Sequence, residues 1–83
     1  MPYDWEDPDF NAWQGACVRL AQFSARAVDL GNQIADARER EDRPGVIAAL
    51  RDYEITLNGM SANAEIAAEA AASIRANLEA EAK

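Results

Sequence analysis

The 83-residue sequence has no histidine, one cysteine (Cys17), three prolines and four glycines. Each shortage removes a class of protein. Without histidine the commonest zinc and iron ligand and the usual general base are missing, and a single thiol closes no intrachain disulfide. No Gly-x-Gly phosphate loop occurs. The acidic residues do not spell a calcium loop either, because Trp5 and Pro8 interrupt them. No apolar run approaches the roughly 20 residues needed to cross a bilayer. The N-terminus is acidic where a secretory leader would be basic, and one unpaired thiol suits a reducing compartment, so the expected location is the cytoplasm. The net charge of −7 repels phosphate and disfavours direct contact with nucleic acid or an anionic membrane.

Reaction chemistry is equally scarce. Ser24, Ser61 and Ser73 have no neighbouring lysine and no glycine loop to hold an oxyanion. Cys17 falls on an apolar helical face, where a thiol acts as a small hydrophobe. Glu65 and Glu69 share a helical spacing but lie off the apolar seam and lack the histidines of a carboxylate-bridged metal site. Arg19, Arg26, Arg38, Arg40, Arg43 and Arg51 have acidic neighbours such as Asp36, Glu39, Asp42 and Asp52, so they read as solvated ion pairs rather than a phosphate-binding stripe. The expectation is a protein that is not an enzyme and holds no cofactor or metal.

Alanine is plentiful, with 19 residues, and β-branched residues are sparse, which favours helix almost throughout. Asp7-Pro8-Asp9 is a helix start: a capping carboxylate, a proline where no N–H is needed, and an acid at the positive end of the dipole. The polar run Arg38 to Asp42, followed by Arg43-Pro44-Gly45, marks a reversal in which Asp42 or Arg43 caps the next helix. The predicted organisation is a single domain: an acidic extension over 1–7, helix 1 over 8–41, a turn over 42–45 and helix 2 over 46–80.

Helix 2 carries a heptad seam of Val46, Leu50, Tyr53, Leu57, Met60, Ala64, Ala67, Ala71, Ile74 and Leu78. The phase is the same on both sides of Asn58-Gly59, so one continuous helix is predicted there despite the turn-like dipeptide. Helix 1 offers Phe10, Trp13, Cys17, Leu20, Ser24, Ala27, Gly31 and Ile34, with Phe23, Leu30 and Ala37 on one flank. Folding at residues 42–44 pairs residues whose numbers sum to about 86 or 87. The fold class is therefore all-α: an antiparallel hairpin of two long helices with an acidic N-terminal extension.

A chain this short buries only about 60% of its unfolded surface and usually needs a partner or a staple. Ile55, Ala62 and Ile66 are apolar positions opposite the helix 2 seam. They are the candidate oligomer interface, through which a homodimer would complete a four-helix bundle.

The stretch PYDWEDPDF concentrates four of the fifteen carboxylates and three of the six aromatic rings. A disordered solubilising tail would carry the acids without the rings. Tyr3, Asp4, Trp5, Glu6, Asp7 and Asp9 are therefore the candidate contacts to a protein with a basic surface, the rings supplying area and the acids steering association. In size, acidity and lack of reaction chemistry the chain is similar to small bacteriophage inhibitors of host defence, such as anti-restriction and anti-CRISPR proteins. That similarity is one of kind, without a shared motif, and implies a non-enzymatic inhibitor that blocks a basic, nucleic-acid-binding surface. The alternative is a homo-oligomeric helical bundle serving as a structural or assembly protein, a scaffold or chaperone.

Overall fold

The computed structural model describes residues 6–82. Among them are two helices, α1 (Pro8–Glu39) and α2 (Arg43–Ala82), packed against each other as a hairpin. The hairpin is a rod of 62 × 16 × 14 Å with a radius of gyration of 18.5 Å, where a compact globule of this length has about 12 Å. Tyr3, Asp4 and Trp5 lie outside the described residues.

The start of α1 follows from its first residues. The Asp7 carboxylate accepts a 2.9 Å hydrogen bond from the Asp9 backbone N–H, and Pro8 occupies the first turn. The far end of α1 is closed by two reverse bonds: Glu41 N–H donates to the Arg38 carbonyl at 3.0 Å, and Asp42 N–H donates to the Ala37 carbonyl at 2.9 Å. This is the Schellman arrangement, and it places Glu41 in the left-handed region at φ 55°. Asp42 then caps α2, its Oδ1 accepting from Gly45 N–H at 3.1 Å.

The reversal thus occupies residues 40–42 instead of 42–45; α1 ends at Glu39 instead of about 41, and α2 begins at Arg43 instead of about 46. The reason is chemical. Pro44 lies in the first turn of α2, where backbone donors have no helical partner, so it costs no hydrogen bond. Gly45 leaves room for the capping carboxylate: a Cβ there would collide with the Asp42 side chain. Further along, α2 runs through Asn58-Gly59 without a break.

The seam is rotated from the predicted one. On α1 the residues turned inward are Ala16, Leu20, Phe23, Ala27, Leu30, Ile34 and Ala37, at alternating spacings of four and three. On α2 they are Val46, Ala49, Tyr53, Thr56, Met60, Asn63, Ala67, Ala70 and Ile74. Leu50 and Leu57, expected inside, are 43% and 40% exposed, and Ala64, Ala71, Ser24 and Gly31 are exposed as well. Each helix is turned by about half the 100° that separates successive residues.

Two alternative seams share the row Val46, Tyr53, Met60, Ala67, and each pairs one large row with one small row. The observed seam sets the bulky Phe23 and Leu30 of α1 against the small row Ala49, Thr56, Asn63, Ala70 of α2. It also satisfies polar groups. Thr56, 6% exposed, donates its hydroxyl to the Asp52 carbonyl at 2.8 Å. Asn63, 9% exposed, donates to the Gly59 carbonyl at 2.8 Å and accepts from Arg19 Nε at 2.6 Å. No buried side-chain nitrogen or oxygen among the described residues lacks a partner, as a stable interior requires.

The register differs accordingly. Phe23 lies over Gly59, where an added Cβ would sit 2.7 Å from the ring; Arg19 reaches Asn63, and Asp9 Oδ2 accepts from Ser73 Oγ at 2.6 Å. In each pair the residue numbers total 82, below the predicted 86 or 87, because the turn falls earlier.

Candidate interaction site

With a seam fixed, the hairpin has two long flanks of unlike chemistry. One flank is polar and carries the side-chain bonds between the helices: Asp9 to Ser73, Arg19 to Asn63, and Arg26 to Asp52 at 3.9 Å. Near the turn the same flank holds a cavity of about 220 Å³ of mixed lining, with Gln33, Arg40, Asp42 and Asp52 beside Ala37, Ala48 and Ala49.

The other flank is apolar. From α2 it presents Leu50, Leu57, Ala64, Ala71 and Leu78, one position beyond the inner row, with Ile47, Ser61 and Ala68 beside them. From α1 it presents Cys17, Ser24 and Gly31, with Ala21, Val28 and Ala35 at the edge. Val28 is 65% exposed. Between residues 14 and 35 of α1 and 47 and 71 of α2, Glu54 is the single charged residue in these rows.

An open cavity of about 500 Å³ ends this flank beside the start of α1, lined by Phe10, Trp13, Ala71, Ile74 and Leu78, with Arg75 and Glu79 also in its walls. Phe10 and Trp13 meet edge to face, ring centres 6.2 Å apart. At the opposite end of the flank a second recess is formed by Arg38, Glu41, Arg43, Val46 and Ile47.

The candidate residues fall as follows. Glu6 is exposed, whereas Asp7 and Asp9 are half-buried and held by the cap and by Ser73. Ile55, Ala62 and Ile66 are exposed, Ile55 to 67%. They run along the polar side of α2, so the structure does not join them to the Leu50–Leu57 strip. Sequence reasoning missed that strip because its leucines were placed inside; the signal was the row of small residues, Ala49, Thr56, Asn63 and Ala70, that competes for the interior.

Charge is graded along the rod. The end near the chain termini carries Glu6, Asp7, Asp9, Glu65, Glu69, Glu79 and Glu81, against Arg19 and Arg75 among the described residues. The turn end is nearly balanced, Arg38, Arg40, Arg43 and Arg51 standing among Asp36, Glu39, Glu41, Asp42 and Asp52; of these arginines only Arg40 has an ion pair among the described residues, to Asp36 at 3.1 Å. No group of three or more metal-ligating side chains occurs among the described residues, and no helix there is long and apolar enough to cross a membrane. No protein-family model, curated protein or solved structure matches the chain.

Proposed function

We propose that the protein is a non-enzymatic, protein-binding helical module that lays its acidic open end against a basic surface of another protein and blocks what that surface normally holds, in the manner of anti-restriction or anti-CRISPR inhibitors. The crowding of carboxylates at one end of the rod, with Glu6, Glu79 and Glu81 exposed there, carries this reading. Such an end raises the encounter rate with a basic partner and does so less at high salt.

The test is capture on immobilised basic nucleic-acid-binding proteins at about 50 and about 500 mM salt, spanning a roughly threefold change in screening length. Specific capture weakened by salt, and weakened further by the triple variant Glu6→Gln/Glu79→Gln/Glu81→Gln, is the expected result. Binding indifferent to both salt and charge sinks the reading.

A second reading, a homo-oligomeric helical bundle with a structural or assembly role, is favoured by the apolar flank. A strip containing Leu50, Leu57 and Leu78 costs free energy while it faces water, at about 25 cal/mol per Å² of apolar area.

A further inference from the structure

Resting on the self-association reading, we propose that a second copy of this chain covers the Leu50–Leu57 flank, packed face to face with its turn at the opposite end of the rod. Three observations carry this: exposed area, matching shape and charge.

The chain exposes 6148 Å², whereas a compact monomer of its mass exposes about 4,900 Å². Leu30 is the only large side chain fully buried among the described residues. A strip one helix wide along the 62 Å rod offers on the order of 600 Å² per copy, so about 1,200 Å² in all, the lower edge of stable interfaces.

Shape follows from the row on α2. Turned end for end about Ala64, the row meets itself with Leu57 opposite Ala71, Leu50 opposite Leu78, and Ala64 opposite its own copy. The one large-against-small pairing recurs on both sides of the axis, as interdigitating helices require.

Charge selects the orientation. Arg38 and Arg43 border the strip at the turn end beside Glu41 and Asp42 and make no ion pair with any described residue, while Glu79, paired with Arg75 at 3.1 Å, borders it at the other end, where Glu6 and Glu81 also lie. An end-for-end partner sets this nearly balanced end, with its two arginines outside any ion pair, beside the acidic one. A parallel partner would bring the two acidic ends together, which costs free energy through like-charge repulsion. The opposite flank lacks this fit, since its polar groups are already bonded across the seam.

The experiment is sedimentation equilibrium at tens of micromolar on the full chain, with Leu57→Glu, Leu50→Glu and Ile55→Glu variants checked for helicity by circular dichroism. Both leucines are already partly exposed, so at least one variant retains the helical spectrum of the wild type. The expected result is a dimer for wild type and Ile55→Glu, and a tenfold or greater weakening for the leucine variants. Orientation is read from spin labels on Glu39→Cys in a Cys17→Ala background: label separation of about 50 Å or more follows from a 1.5 Å rise per residue on oppositely directed rods. A wild-type monomer overturns both this inference and the self-association reading. A dimer that survives the leucine variants, or is lost in Ile55→Glu, or has its labels within about 20 Å, a separation set by adjacent helices, leaves self-association standing and overturns the inference.

Discussion

Glu41 sustains a left-handed backbone at a position where helices that end in this way most often carry glycine. An L side chain there is held against its preference by the two reverse bonds to Ala37 and Arg38 and by the helix that follows at once. Glu41→Gly removes the Cβ conflict and keeps both bonds. The expected gain is about 0.5–1 kcal/mol, read as a higher urea midpoint with an unchanged slope. A lowered midpoint would mean that the Glu41 side chain, not the backbone, holds the turn.

The two helices are tied across the polar flank chiefly by Arg19 and Asn63. Arg19→Ala leaves the Asn63 carbonyl without its inter-helix donor in a nearly closed site, and a loss of about 1–2 kcal/mol is expected. Asn63→Ala removes the other half of the bond. The double variant should cost less than the two single variants together, by at least about 0.5 kcal/mol of coupling in a denaturation cycle; strict additivity would show that the bond has no part in setting the register. Much at this level was legible in the residues. The Asp7 cap, the proline at the start of α1, the reversal before Gly45 and the unbroken path through Asn58-Gly59 all depend on a residue and its immediate neighbours. The rotation of the helices does not. Leu50 and Leu57 outrank Thr56 and Asn63 in hydrophobicity, yet which row turns inward is decided by Phe23, Leu30 and Arg19 on the partner helix. The candidate site suffered for the same reason: Ile55 and Ile66 stood out as surplus only because the leucines had been placed inside.

Taken whole, the molecule is two rods with one seam between them, and such a body has little interior. On the proposed dimer, in which a second copy adds burial to this small interior, stability should depend on protein concentration. A tenfold increase in protein should raise the melting midpoint by a few degrees, as expected of a domain this small, and the Leu57→Glu chain should melt at one temperature regardless of dilution. A wild-type midpoint indifferent to concentration would count against a dimer as the melting unit. The three-residue reversal at 40–42 has a consequence of another kind, in time. Almost no loop entropy opposes the first pairing of the rods, around Ala37 and Val46, and every later pairing extends from one already made. The hairpin should close like a zip from the turn outward, on the microsecond-to-millisecond scale of helical proteins, with Ile74 and Leu78 the last to engage and the first to let go.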